Sequence, residues 1–98
     1  MVEDGTVEHG SAYLRFIKSQ GVGKRDVVAS SPDSALQYLN RVSRELSVAV
    51  SPTLLASDAD VERIKAKLQR LKVNPSSVRN LVWAMEYYVA MVREQGLK

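Results

Sequence analysis

The segment from residue 76 to about residue 95 is apolar almost all the way around a helix, and it constrains the fold most. One stripe consists of Val78, Leu81, Val82, Met85, Val89 and Val92. A second consists of Trp83, Tyr87 and Met91, with Ala84 and Tyr88 between the stripes. A helix with two apolar faces is typical of the centre of a domain. The pattern therefore predicts a bundle packed around this helix, and the alternative is that one stripe meets a partner subunit.

Three earlier segments have the apolar spacing of amphipathic helices. The first runs from about residue 11 to 20, with Ser11 as its expected N-cap and Gly21 after its end. Its inward side is Tyr13, Phe16, Ile17 and Gln20. The third begins at Ser57 or Asp58, and its inward side is Val61, Ile64, Leu68 and Leu71. The last helix is expected to be capped by Ser76 or Ser77 and followed by Gly96.

The second segment has the most sharply defined start. Ser31 is the expected N-cap and Pro32 the first helical residue, where its missing N–H costs nothing, and Asp33 suits the positive helix end. The helix is expected to continue to about Val48, and residues 52–56 to form one short turn. Its apolar face is Leu36, Leu39, Val42 and Leu46.

These patterns predict an all-α fold: a compact bundle of four to five helices over residues 11–96, after a flexible acidic tail at residues 1–10. No stretch approaches the roughly 20 apolar residues that span a bilayer, and the first residues lack the features of a signal peptide. The chain has no cysteine, which excludes disulfides and thiolate metal sites. We expect a cytoplasmic protein with no membrane partner.

The positive charge is concentrated after the first nine residues. The net charge is +3, but residues 10–98 contain fourteen basic and eight acidic residues and carry +6. Six cations follow one another without an intervening acid: Arg63, Lys65, Lys67, Arg70, Lys72 and Arg79. A basic surface of this size favours polyanions through counterion release. The alternative is a solvated helix face that keeps the protein in solution.

Residues suited to catalysis are sparse, so the sequence predicts no enzyme, no cofactor and no metal site. The one histidine, His9, falls in the expected tail. No His, Cys or carboxylate cluster has metal-ligand spacing, and Asp58 and Asp60 are explained by the start of the third helix. The segment from Gly21 to Lys24 lacks the full phosphate-loop pattern and a preceding strand.

Residues suited to nucleic-acid contact lie on two helices. On the second, Gln37, Arg41 and Arg44 share a face at helical spacing, with Asn40 beside them, and the alternative is that the arginines pair with Glu45 and water. On the third, Arg63, Lys67 and Arg70 repeat in the same way, with Lys65 and Lys72 nearer the edges. Trp83 and Tyr87 are better suited to a core or an interface than to base stacking.

The order of these elements resembles a known family. The correspondence lies in Ala12-Tyr13-Leu14-Arg15-Phe16-Ile17 of the first helix, Ser34 and Tyr38 followed by Val42 in the second, Ser57-Asp58-Ala59-Asp60-Val61 through Leu68 in the third, and Ser76-Ser77-Val78-Arg79-Asn80-Leu81 through Tyr88 in the fourth. Over about residues 11–94 the chain resembles the SAM-like core-binding domain that precedes the catalytic domain of tyrosine recombinases and phage integrases. Similar helical modules accompany some restriction-type nucleases.

Members of that family clamp duplex DNA, chiefly through its backbone. The resemblance implies DNA contacts by Lys24, Arg25, Ser34, Gln37 and Arg41, and by Arg79 and Asn80 near the start of the fourth helix. The catalytic domain of the family has no counterpart here, so the chain is either an excised domain or a stand-alone relative. Pro32 and Asp33 depart from the family pattern, because they place an acid beside the expected phosphate surface.

The resulting hypothesis is a non-catalytic module that binds duplex DNA mainly through phosphates, as part of a recombination or restriction protein, and that is associated with the nucleoid. Its expected DNA-binding residues are Lys24, Arg25, Ser34, Gln37, Arg41, Arg44, Lys67, Arg70, Arg79 and Asn80. The alternative is a helical protein-interaction module that uses the face of Trp83, Tyr87 and Met91. In either case the fourth helix is a candidate contact for a second copy or a partner domain.

Overall fold

A computed structural model describes residues 7–20 and 32–96, which form an all-α bundle. The helices are α1 (Gly10–Ser19), α2 (Pro32–Leu46), α3 (Asp58–Arg70) and α4 (Pro75–Gln95). The predicted all-α class is confirmed, with four helices in the described part of the chain. No helix described here is both long and apolar enough to cross a membrane.

Helix α4 lies at the centre of the bundle, because it packs against each of the other three helices and buries more side chains than any of them. It contributes eight buried side chains, namely Val78, Leu81, Ala84, Met85, Tyr88, Val89, Met91 and Val92. The prediction that this helix is central is therefore confirmed. Met91, which the sequence placed on the second stripe, is fully buried, whereas Trp83 and Tyr87 on the same stripe are half-buried.

The helix starts differ from the sequence predictions at two places. Helix α4 is capped by Asn74, whose side-chain oxygen accepts the backbone N–H of Ser76 at 2.8 Å, and Pro75 is its first residue. The expected caps Ser76 and Ser77 lie inside the helix. Helix α1 begins at Gly10, so Ser11 lies inside the helix and is not its N-cap. The N-cap is His9, which has a left-handed backbone and makes no side-chain capping hydrogen bond. The expected tail, residues 1–10, thus includes the first residue of α1.

The start of α3 agrees with the sequence. Ser57 is the N-cap, and the carboxylate of Asp60 accepts the backbone N–H groups of Ser57 at 3.2 Å and Ala56 at 2.9 Å. These contacts satisfy donors that the first turn leaves without helical partners. Helix α2 begins at Pro32, as expected. Its expected N-cap Ser31, and Gly21, which was expected after the end of the first helix, lie outside the described residues.

Two expected inward positions, Leu71 and Gln20, are exposed because each lies just beyond the end of its helix. Leu71 is 51% exposed, since α3 ends at Arg70 and Lys72 has a left-handed backbone with φ of 62°. Gln20 is exposed just beyond the end of α1. Helix α2 ends at Leu46 rather than Val48, which is 41% exposed.

The first described residues contact the connection between α2 and α3. Val7 forms an isolated parallel bridge with Val50, and the N–H of Glu8 donates to the Val50 carbonyl at 2.8 Å. Residues 52–55 form the expected short turn, in which the Leu55 N–H donates to the Ser51 carbonyl at 2.9 Å. Nothing in residues 7–20 or 32–96 forms a regular strand. These contacts hold residues 7 and 8 against a segment more than forty residues away.

Candidate functional site

Five cations lie on the last turns of α3, the connection that follows it and the first turns of α4, and we call them the basic end: Lys65, Lys67, Arg70, Lys72 and Arg79. Four of them are exposed, and Lys65 is half-buried. Residues 71–74 connect the two helices directly, so the end of α3 and the start of α4 lie at the same end of the bundle. From the sequence, Lys65 and Lys72 were placed nearer the edges of the basic face of the third helix. Helical spacing describes one helix only and cannot show which cations a neighbouring helix brings beside it.

Ion pairs occupy other arginines and leave the basic end unneutralised. Arg63 pairs with Asp60 within the first turns of α3. Arg41 contacts Glu45 at 3.5 Å and Arg93 contacts Asp58 at 3.7 Å. Within the described part of the chain, no carboxylate lies in ion-pair distance of the five cations of the basic end. Their charge is therefore directed to solvent and to any anion that approaches.

The predicted basic face of α2 is weaker than its sequence indicates. Arg41 is half-exposed and makes the ion pair with Glu45 that the sequence analysis held open as the alternative. Gln37 and Arg44 are exposed, whereas Ser34 is half-buried. Two further residues of this expected surface, Lys24 and Arg25, lie outside the described residues. Among the described cations of α2, Arg44 alone lacks a carboxylate partner.

The cations of α3 point in two directions. Arg63, Lys67 and Arg70 are three or four residues apart and share an exposed face. Lys65 instead lines a groove between α3 and α4, together with Arg79. Asn80, the last residue of the expected DNA-binding set, is half-buried beside Arg79. The structure thus joins Arg79 to α3 rather than to the basic face of α2.

The groove has a volume of about 670 Å³ and an apolar floor. Its lining is Lys65, Gln69, Val73, Pro75, Val78, Arg79, Val82, Trp83 and Glu86. The two helices run antiparallel, since four residues connect them and Asp58 at the start of α3 pairs with Arg93 near the end of α4. Arg79 is in the second turn of α4 and Glu86 two turns further on. Because the helices are antiparallel, Arg79 lies toward the connecting end of the groove, and Lys65 and Glu86 lie at its other end.

Aromatic side chains separate this groove from α2. The Trp83 ring meets Tyr87 edge-on at a centroid distance of 5.4 Å and Tyr38 of α2 at 6.3 Å. All three are half-buried. Trp83 therefore contacts the groove on one side and an aromatic neighbour on the other. Because Met91 is buried, the predicted face of Trp83, Tyr87 and Met91 reaches solvent only at its first two residues.

Two other tyrosines are structural. Tyr13 is fully buried and its hydroxyl donates to the Ala84 carbonyl at 2.9 Å, while the Tyr88 hydroxyl donates to the Glu8 carbonyl at 2.8 Å. Burial raises the pKa of both phenols above its usual value, with a smaller contribution from Tyr87 for Tyr13 and from Glu8 for Tyr88. Both hydroxyls are neutral hydrogen-bond donors at physiological pH.

Side chains that hold metal ions do not converge in residues 7–20 and 32–96. No group of three His, Asp or Glu residues there is close enough to share an ion. In the same residues every buried side-chain nitrogen or oxygen has a hydrogen-bond partner. What the site offers is charge, an apolar groove and aromatic surface, which are the means of binding.

Comparison with known proteins identified no relative of this chain. A scan against protein-family models, a search of curated proteins and a search of solved structures each found no match. The resemblance to core-binding domains therefore stays a prediction from sequence phrases, and the geometry of the basic end and the groove is the ground for a functional proposal.

Proposed function

We propose that this protein is a non-catalytic module that binds duplex DNA through its phosphates, and that the basic end makes the main contact. One observation supports this above the others: five cations on the last turns of α3, the connection after it and the first turns of α4 have no carboxylate partner in the described residues. Cations that lack an internal partner can exchange their counterions for phosphates, which is the source of most non-specific affinity for DNA.

The arrangement suits a backbone better than base edges. Lys67, Arg70 and Lys72 are exposed at the end of α3, and their flexible side chains reach successive phosphates without a fixed geometry. Side chains that read bases must enter a groove of the duplex from a protruding element. The central helix α4 is too deeply packed for that role. We therefore expect weak sequence preference and strong dependence on salt.

Helix α2 supplies a secondary contact. Gln37 and Arg44 are exposed on one face, and the Arg41–Glu45 pair reduces the net charge beside them. We place the main DNA contact on α3 and α4 for this reason, and Arg44 at its margin. In a cell such a module would act in the cytoplasm, at the nucleoid, as the DNA-holding part of a recombination or restriction system.

The salt dependence of binding tests the proposal. A titration of a short duplex, followed by fluorescence anisotropy between about 50 and 200 mM salt, is expected to give a log–log slope of about −4, because four to five cations displace counterions. Lys67→Gln combined with Arg70→Gln is expected to reduce the slope by about 2 and to weaken binding about tenfold or more at low salt. Binding that is indifferent to salt, or no binding at low salt, contradicts the proposal.

A matched control separates the basic end from net charge. Arg15→Gln combined with Lys18→Gln removes two exposed cations from α1, the helix without a place in the proposed contact. This variant has the same net charge as the first and is expected to bind DNA almost as the unaltered protein does. Equal losses in the two variants would show that only overall charge matters.

A further inference from the structure

The groove between α3 and α4 has a shape that DNA binding through phosphates does not use. Along α4 its lining extends from Pro75 to Glu86, which is about 16 Å, or three helical turns. Its floor is formed by Val73, Val78 and Val82, with Trp83 at the side. A phosphate backbone is disfavoured on such a floor, because its charged oxygens would lose water there without gaining a hydrogen-bond partner.

We propose that this groove binds an amphipathic, acidic helix of a partner protein, about three turns long. The apolar side chains of that helix would cover Val73, Val82 and Trp83, and its carboxylates would meet Lys65 and Arg79. The groove shares Lys65 and Arg79 with the proposed DNA contact. It differs from that contact in its apolar floor and in Trp83, which the proposed DNA contact does not use.

The conformation of the partner follows from what the groove lacks. Residues 7–20 and 32–96 offer no strand edge, so an extended peptide would find no backbone groups with which to pair. A helix satisfies its own backbone hydrogen bonds and presents side chains at positions i, i+3 or i+4, and i+7. Three turns of such a helix match the length of the groove.

The charge of the partner follows from the rim. Lys65 and Arg79 both line the groove and neither makes an ion pair with a described carboxylate. Glu86 is the one acid in the lining, two turns from Arg79. The best partner therefore has its carboxylates near Arg79 and none facing Glu86. Charge complementarity of this kind selects among partners more than it adds affinity.

The half-buried Trp83 gives the groove both an anchor and a reporter. Tryptophan is enriched among the residues that dominate interface energies, particularly at the edge of a pocket that excludes water. It is also the one tryptophan of the chain. Its fluorescence therefore reports the occupation of this groove without a label.

The test uses three synthetic peptides of about fourteen residues that lack tryptophan. They share leucines at helical spacing and differ only in their polar face, which is acidic, neutral or basic. The acidic peptide is expected to shift Trp83 emission to saturation and to bind about tenfold more tightly than the neutral one, and the basic peptide to bind weakest. No change of Trp83 emission with any peptide up to about 1 mM overturns the proposal, as does preference for the basic peptide.

Variants distinguish this site from the DNA contact. Val82→Lys places an ammonium group in the apolar floor, where the leucines of the peptide would have to desolvate it, so it is expected to abolish peptide binding despite its favourable charge and to preserve DNA binding. The pair Lys67→Gln and Arg70→Gln is expected to do the reverse. If Val82→Lys does not fold by circular dichroism, Gln69→Glu on the exposed rim serves in its place, with a several-fold loss for the acidic peptide.

Two further outcomes would assign the groove to another occupant. A single-stranded oligothymidine that shifts Trp83 emission to saturation, while the acidic peptide does not, would make the groove part of the nucleic-acid surface. A Trp83 emission that depends on protein concentration, together with a dimer in analytical ultracentrifugation, would make the occupant a second copy. Either result overturns the proposal.

Discussion

Two aromatic clusters lie on opposite sides of α4 and differ in what their burial accomplishes. On the side of α1, Tyr13 and Tyr88 are fully buried with ring centroids 5.8 Å apart, and both hydroxyls donate to backbone carbonyls. On the side of α2, Tyr38, Trp83 and Tyr87 are half-buried and meet edge-on. The first cluster joins α1 to α4, and the second separates a groove from α2.

The comparison teaches which aromatic surface is available for binding. A buried phenol whose hydroxyl is satisfied has no capacity left for a ligand, because any movement would leave a polar group unpaired. A half-buried ring retains apolar surface that a partner can cover. The same helix therefore buries one side completely and retains apolar surface on the other, which the proposed partner helix would cover.

The largest expected effect comes from the neighbours Tyr87 and Tyr88. Tyr88→Ala is expected to lower the free energy of unfolding by about 3–5 kcal/mol, because it empties a fully buried site and removes a hydrogen bond. Tyr87→Ala makes the same change one position earlier in the helix and is expected to cost about 1 kcal/mol. Urea unfolding measures both values. Equal losses would contradict the division between the two clusters.

Alkaline pH is expected to destabilise the protein through the buried cluster. The fold raises the pKa of Tyr13 and Tyr88, whereas the unfolded chain ionises at about pH 10. The contribution of each neutral phenol to the free energy of unfolding is therefore fully present below about pH 10. It is lost as the pH rises from there toward the pKa of the folded state. The slope is about 1.4 kcal/mol per pH unit for each tyrosine that stays protonated in the fold.

The variant Tyr13→Phe, Tyr88→Phe isolates this effect. It is expected to lose about 1 kcal/mol for each hydrogen bond at pH 7 and to show a smaller decline of unfolding free energy between pH 10 and 11. Urea unfolding at each pH gives the comparison, and Tyr38→Phe is the control from the half-buried cluster. A decline as steep as that of the unaltered protein would show that other groups cause the alkaline loss.

The smallest expected effect is the coupling within the half-buried cluster. A double-mutant cycle of Tyr38→Ala and Trp83→Ala is expected to give an interaction energy of about 0.5–1 kcal/mol, typical of edge-on aromatic pairs. The corresponding cycle of Tyr38 with the buried Tyr13 is expected to give almost none, since the two residues belong to different clusters. A coupling above about 2 kcal/mol would mean that Trp83 is as structural as Tyr88.

The helices were predictable from sequence because their signals are local. Pro32 and Ser57 indicate helix starts through backbone chemistry, and Gly96 marks an end with a left-handed φ of 63°. The cap of α4 was expected at Ser76 or Ser77 because serine is a preferred N-cap, but asparagine is equally preferred and Pro75 suits the first helical position, so Asn74 is the cap. Leu71 was placed inside because its spacing continues the stripe of α3, although the helix ends one residue earlier.

The candidate site was less predictable because it depends on packing between helices. Helical spacing grouped Arg63 with Lys67 and Arg70, but an ion pair with Asp60 neutralises it. The grouping of Lys65 with Arg79 depends on the antiparallel offset of α3 and α4, and no local pattern encodes that offset. The groove is a property of two helices, so its lining emerges only from the fold.

The contacts between α1 and α4 also set the order of events when the chain folds. Tyr13 meets Ala84, and Glu8 meets Tyr88, across 71 and 80 residues of sequence. Closing loops of this length consumes entropy before the contacts return free energy, and proteins rich in such contacts fold more slowly than bundles with local ones. On a ribosome, α1 can pack against α2 as that helix emerges, whereas the hydrogen bonds to Ala84 and Tyr88 form only after α4 has emerged.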